Sequence, residues 1–134
     1  MATVFEMIRD GAIPSVKLYE DDICFVILDL SPVNKGHALV ISKEAKPTFD
    51  SVPAETLYHM KDIAKKVDRK MRDVLHADGT NILINNGPAS GQEVPHLHIH
   101  VIPRYEGDGK TFSFPSKEKY EEGEMAQYGE KLKI

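Results

Sequence analysis

His96-Leu97-His98-Ile99-His100-Val101-Ile102 alternates imidazole and aliphatic side chains. That alternation is the period of an extended strand, in which successive side chains point to opposite faces. Pro95 to Ile102 is therefore read as a strand that sends Leu97, Ile99 and Val101 into a core. His96, His98 and His100 then share the other face, spaced by about 6.6 Å along the chain. Three of the chain's six histidines fall within these five positions. A core histidine usually comes singly, so the cluster is read as chemistry. Two chemistries fit the pattern. Imidazoles at i and i+2 on a strand can ligate zinc, with a further ligand from elsewhere. A neutral imidazole can instead attack phosphorus and form a phosphoramidate, while a neighbouring imidazole assists the leaving group.

The residues just upstream favour phosphorus. Asn81 to Asn85 reads as a second strand, and Asn86-Gly87-Pro88-Ala89-Ser90-Gly91-Gln92-Glu93 joins it to the histidines as a loop rich in turn formers. Gly87 and Gly91 allow backbone N–H groups to approach an anion closely, and Asn85, Ser90 and Gln92 can donate from side chains. Donors aimed at phosphate oxygens stabilise transition-state charge. A zinc site would gain little from such a loop and would want carboxylates or thiolates, of which only Glu93 is close in sequence.

Further outward, Val4 to Arg9 reads as a short helix ended by Asp10-Gly11. Val16 to Glu20 and Ile23 to Leu28 read as a hairpin around Glu20-Asp21-Asp22, with no glycine at the turn, and His37 to Ile41 as another strand. Leu57, Met60, Ala64, Val67, Met71, Val74 and Leu75 recur three or four apart, predicting one long helix that begins near Pro53 and is closed by Asp78-Gly79. His59 and His76 on this helix suit surface or helix-dipole roles. Glu106 to Ile134 forms a tail with a short amphipathic helix around Glu124 to Leu132. The expected class is α+β, with a mostly antiparallel five-stranded sheet, one long helix and a short N-terminal helix.

The chain has 134 residues, 41% hydrophobic and 28% charged, which suits one globular domain. We read residues 1–134 as that domain, with a core of about 4–104 and a C-terminal extension over 105–134. A net charge of −4 disfavours a nucleic-acid polymer as partner but not a single nucleotide. Cys24 is the one cysteine and sits in the apolar run Ile23 to Leu28, so no internal disulfide can form. With neither a signal peptide nor a membrane span in view, a cytoplasmic protein is expected.

Gly91-Gln92-Glu93-Val94-Pro95-His96-Leu97-His98-Ile99-His100-Val101-Ile102-Pro103-Arg104 resembles the signature of the histidine triad (HIT) family, His-φ-His-φ-His-φ-φ with φ apolar. The resemblance extends to Ala12-Ile13-Pro14-Ser15, Tyr19-Glu20-Asp21-Asp22, Leu28-Asp29-Leu30-Ser31-Pro32 and Gly36 to Ile41. The third histidine separates the chain from the galactose-1-phosphate uridylyltransferase relatives, which carry glutamine there. The resemblance implies that His98 is the nucleophile, that His100 hydrogen-bonds the phosphate and assists the leaving group, that His96 orients the site and that His37 joins the network behind it. It also implies phosphate or leaving-group contacts from Asn85, Gln92 and the Gly91 and Glu93 backbone. Asp29 would take the ribose hydroxyls, and Phe5, Ile8, Ile13, Ile27 and Leu30 would form a base pocket. Without the resemblance, Asp29 is a strand-end turn residue and the five apolar residues are core.

The chain departs from the family at two points. Many members carry Cys-x-x-Cys near the start, which with two histidines holds zinc; Thr3 and Glu6 stand there, so no metal and no cofactor are expected. Many place Ser or Thr where Glu93 stands, and a carboxylate at that point would repel phosphate unless it turns away or pairs with a cation. The expected function is hydrolysis or transfer at the α-phosphate of a purine nucleoside phosphoramidate or dinucleoside polyphosphate through a nucleotidyl-histidine, in a homodimer. The alternatives are a nucleotide-binding regulatory module with little turnover and a zinc-dependent hydrolase using His96 and His98.

Overall fold

The structure, a computed structural model, describes residues 2–134. Five strands form one antiparallel sheet: β1 (Lys17–Glu20), β2 (Cys24–Leu28), β3 (Ala38–Ser42), β4 (Gly79–Leu83) and β5 (His98–Arg104). Their spatial order is β1-β2-β3-β5-β4, so the histidine-bearing strand lies inside the sheet between β3 and β4. Three α-helices accompany it: α1 (Val4–Arg9), α2 (Ala54–Val74) and α3 (Glu124–Leu132). The α+β class, the five strands and the long helix are as expected from the sequence.

Strand alternation builds two cores, one on each face of the sheet. Cys24, Val26, Ala38, Val40, Ile99 and Val101 face α2 and pack against its Met60, Ile63, Ala64 and Met71. Leu97, just ahead of β5, joins this cluster. Phe25, Ile27, Leu39 and Ile41 point the other way, onto Phe5 and Ile8 of α1. His98 and His100 alternate with Ile99 and Val101, so they emerge on the α1 face.

Local chemistry fixes the connections. Thr3 and Glu6 form a capping box that starts α1. The β1–β2 turn manages without glycine because Asp21 Oδ1 accepts from the backbone N–H groups of Ile23 and Cys24. Asp21 Oδ2 also bonds Nε2 of His59 at 2.5 Å, so this helix histidine clasps the hairpin to α2. Its expected surface or dipole role gives way to that contact.

Several boundaries move. The triad strand begins at His98, not Pro95, because His96 N–H turns to Val94 O and Leu97 N–H to Lys46 O. β4 covers Gly79 to Leu83, two residues earlier than the pattern suggested. Gly79 therefore opens a strand instead of closing the helix. α2 is closed by His76 in the left-handed region, φ 56°, where Ala77 N–H reaches Met71 O. The tail after Asp108 is an exposed segment without regular secondary structure that leads into α3, whose Met125, Tyr128 and Leu132 are exposed. No helix among the described residues is long and apolar enough to cross a membrane.

Candidate active site

The register of β3 against β5 places the first two members of the site. Leu39 pairs with His100, and Ile41 with His98. His37 lies two residues before Leu39 and so shares its face, diagonally opposite His100. The result is a row of aromatic rings. His37 and His100 have centroids 5.2 Å apart, His100 and His98 5.0 Å, His98 and Phe5 4.9 Å, and Phe5 and His96 5.6 Å. His96 is on this face but not on the strand, and Phe5 stands between it and the other members.

Hydrogen bonds to backbone groups fix the tautomers along the row. His98 Nδ1 lies 2.7 Å from the carbonyl oxygen of His96. A carbonyl only accepts, so Nδ1 carries the proton and Nε2 keeps a lone pair. At the other end, Val33 N–H donates to His37 Nδ1 at 3.1 Å, which leaves the His37 proton on Nε2. That N–H donates to His100 Nδ1 at 2.9 Å, so His100 bears its own proton on Nε2. His96 is closed off: its Nε2–H donates to Ser42 O at 2.6 Å, and its Nδ1 accepts from Thr3 Oγ1–H at 2.7 Å.

All four rings are held neutral, mainly because burial penalises the imidazolium. The pKa values of His37, His96 and His98 are lowered on that account. His100 is pushed down to about 4, first by burial and then by the neighbouring His98 and His37. Asp29 Oδ2 lies 3.7 Å from His37 Nε2, and with His37 neutral this is a dipolar contact, not an ion pair.

His98 and His100 open onto a cavity of about 400 Å³. One side is built by Asp29 and Ser31 from the β2–β3 connection and Leu39 from β3; the other by Asn85 and Gly91 to Val94 from the β4–β5 loop, with Phe5 beneath. Gly91 adopts φ +100°, a conformation that favours glycine, and this lets the loop turn back toward His98. A small polar cleft with one nucleophilic nitrogen and one N–H donor side by side suits attack on a tetrahedral centre and stabilisation of its oxygens.

The expected residues divide when placed in space. His98, His100, Asp29, Phe5, Asn85, Gly91, Gln92 and Glu93 all border the cavity. His37 and His96 do not line it. Ile8, Ile13 and Ile27 lie in the hydrophobic cluster under α1 and do not line the cleft. Leu30 is 85% exposed and does not line it either. Gln92 borders the cavity, but its amide braces the loop: Oε1 accepts from Gly87 N–H and Nε2 donates to Pro47 O, each at 2.7 Å. Gly91 N–H is likewise used inside the loop, on Pro88 O at 3.0 Å. Ser90 turns its hydroxyl onto Gly87 O.

Sequence reasoning missed Ser31, Leu39 and Val94 in the wall. Leu39 was accessible, since it lies two residues after His37 on the same strand face. Ser31 and Val94 carry no local signal. Thr3 was noted only as a missing cysteine, yet it buttresses His96 across 93 positions of sequence. This network also bears on zinc. Thr3 Oγ1 occupies His96 Nδ1, and Glu6 is committed to the capping box, so these residues do not suit the metal. The rival zinc reading through His96 and His98 meets the same obstacle, because His96 has no ring nitrogen left.

These features define a member of the histidine triad class, and the chain belongs to that family: its HIT domain model matches residues 10–107. The protein is 43% identical over 111 residues to an uncharacterized HIT-like protein of Methanocaldococcus jannaschii, covering 83% of this chain and 85% of the relative. It is 41% identical over 105 residues to adenylylsulfatase HINT3 of Arabidopsis thaliana, covering 78% of this chain but only 53% of that longer protein. Among solved structures, a HIT family member from Bacillus subtilis superposes with a TM-score of 0.86 at 35% identity, covering 98% of this chain and 95% of that one.

Proposed function

We propose that the protein is a nucleotide hydrolase or transferase that breaks the bond between a nucleoside 5′-α-phosphate and its leaving group through a covalent nucleotidyl-His98. The tautomer set at His98 and His100 carries this reading: a free Nε2 lone pair beside an Nε2–H donor, both bordering one cleft. The purine base lies against Phe5 and Leu39, and the ribose hydroxyls donate to Asp29. The α-phosphate sits over His98, with Asn85 and the His100 Nε2–H directed at its oxygens. His98 Nε2 attacks phosphorus, the leaving group departs with the electrons of the broken bond, and the Nδ1–H stays on His96 O to stabilise the nucleotidyl-imidazolium. Water then attacks phosphorus and releases the nucleoside monophosphate.

His100 acts in this scheme as a hydrogen-bond donor. Handing over its only proton would leave an imidazolate, which a ring already resistant to charge does not favour. The route uses the protein's own side chains, the His96 carbonyl and water, and calls for no metal or cofactor. The likeness to an adenylylsulfatase supports an adenylate as the nucleotide, with phosphoramidates and dinucleoside polyphosphates as the wider candidate range.

The reading includes a homodimer. An apolar depression of about 500 Å³ between α2 and the edge strand β4, walled by Leu57, Tyr58, Ile82, Ile84 and Ile99, supports a second copy there. The lone buried thiol Cys24 suits a reducing cytoplasmic setting.

The test is to quench the enzyme during turnover of adenosine 5′-phosphoramidate and measure protein mass. Wild type gains one adenylyl group on His98, and His98→Asn loses more than ~1,000-fold in kcat while still binding AMP. Wild-type turnover by the variant would overturn the covalent route. Tight AMP binding with no turnover of any nucleotide by wild type would favour the regulatory-module reading.

A further inference from the structure

The charged part of the cavity wall is one-sided. Asp29 and Glu93 border it, and among the described residues no lysine or arginine does. They approach from different elements, Asp29 from the end of β2 and Glu93 from the loop that leads into the triad. Asp29 is tied locally: its Oδ1 accepts Ser31 N–H, and its Oδ2 lies beside His37. Glu93, on the exposed rim, is in no ion pair among the described residues. Burial lowers the His98 pKa, and against it act the His96 carbonyl, then the charge of Asp29 and then that of Glu93, which borders the same cavity.

This arrangement matters for what leaves. The α-phosphate is anionic, and in this cleft it is met by neutral donors only. A leaving group that carries further negative charge, such as sulfate or a polyphosphate, would pass Glu93 without any cation to offset the repulsion. A bridging nitrogen behaves differently. Protonated, it carries a positive charge that a carboxylate stabilises, and it becomes a good leaving group at the same moment. We propose that Glu93 is a specificity-determining residue, whose carboxylate makes the leaving-group side of the cleft select nucleoside phosphoramidates with amine leaving groups over sulfate and polyphosphate ones. This rests on the covalent reading at His98.

The substrate is held as the zwitterion, with the bridging nitrogen protonated beside Glu93 and the negative charge on the phosphoryl oxygens. The His98 Nε2 lone pair forms the bond to phosphorus, and the P–N bond breaks with its electron pair going to nitrogen. A neutral amine departs with the proton it already held, and His98 is left as the cationic nucleotidyl-imidazole. Water then forms the P–O bond and the P–Nε2 bond breaks, restoring neutral His98. One water proton stays on the monophosphate and the other goes to solvent. An oxygen leaving group on sulfur or phosphorus takes no such proton and gains nothing from Glu93.

The experiment measures kcat/KM of wild type, Glu93→Gln and Glu93→Asp on adenosine 5′-phosphoramidate, adenylyl sulfate and diadenosine tetraphosphate. Wild type favours the phosphoramidate. Glu93→Gln, isosteric but uncharged, narrows the phosphoramidate-to-sulfate ratio about tenfold or more, the size of one nearby unit charge. Glu93→Asp keeps most of the preference. A ratio unchanged in Glu93→Gln, or a wild type that prefers adenylyl sulfate, overturns the role of Glu93 even if His98 still becomes nucleotidylated. Absence of turnover and of nucleotidylation on all three substrates overturns the covalent reading, and this proposal with it.

Discussion

His37 donates its Nε2–H to His100 Nδ1 across 2.9 Å, and this bond decides which nitrogen of His100 faces the cavity. His37 is itself set by Val33 N–H at 3.1 Å. A backbone amide in the β2–β3 connection thus fixes a proton two imidazoles away. His37→Ala removes the acceptor of Val33 N–H and frees the His100 tautomer. The expected cost is about 10- to 100-fold in kcat with a small change in KM, since misorientation affects the reacting geometry more than ground-state binding. Nitrogen-15 NMR of the imidazoles provides the check, with His100 changing from pure Nε2–H to a mixture. A kcat loss without a tautomer change would mean that His37 acts only as packing.

Acid should weaken the protein and its activity together. His100 titrates near 4, and burial lowers His37, His96 and His98 as well, below the ordinary histidine value of 6.5. Between about 6.5 and about 4 the unfolded chain therefore binds more protons than the folded one, so the unfolding free energy falls as pH falls. His100 alone contributes on the order of 2–3 kcal/mol to that loss. Urea titrations from pH 7 to pH 4 measure it, and replacing His100 with Gln should flatten the profile. The kcat/KM profile should fall on the acid side as His98 Nε2 becomes protonated.

Cys24 is inaccessible in β2, and burial, followed by the charge of Asp21, pushes its thiol up to about 12. Both effects suppress the thiolate, the reactive form. An aromatic disulfide reagent at pH 8 should leave native protein unmodified and titrate one thiol on addition of guanidinium. Rapid labelling of the native protein would contradict the packing of β2 against α2.

Thr3 serves two elements at once, accepting Glu6 N–H to cap α1 and donating to His96 Nδ1. Thr3→Val keeps the shape and removes both bonds. A loss of about 1–3 kcal/mol is expected, combining a missing cap with a buried acceptor left unpaired. Thermal unfolding would show it. Thr3→Ser should recover most of the stability, because the hydroxyl is the group that matters.

The sequence by itself determined the strands of the sheet and the long helix, because those rest on local rules, and it placed the histidine cluster on one face. His98 was singled out within that cluster only through the family resemblance. Side-chain alternation put Leu97, Ile99 and Val101 into one core and the histidines on the other face. A three-and-four spacing produced α2, and Glu124 to Leu132 was legible for the same reason. The residues that only tertiary structure could assign are those whose partners lie far along the chain. The hydrogen bond between Thr3 and His96 spans 93 positions, and that between His37 and His100 spans 63. No local pattern reveals either, yet together they seal His96 away from metal and set the proton on His100. Gln92 illustrates the converse: its type and position suggested phosphate, while folding spent its amide on Gly87 and Pro47. The three equivalent-looking imidazoles of the opening stretch differ because each meets a different neighbour. A hydroxyl and a carbonyl close His96, a carbonyl frees one nitrogen of His98, and a fourth histidine aims the proton of His100.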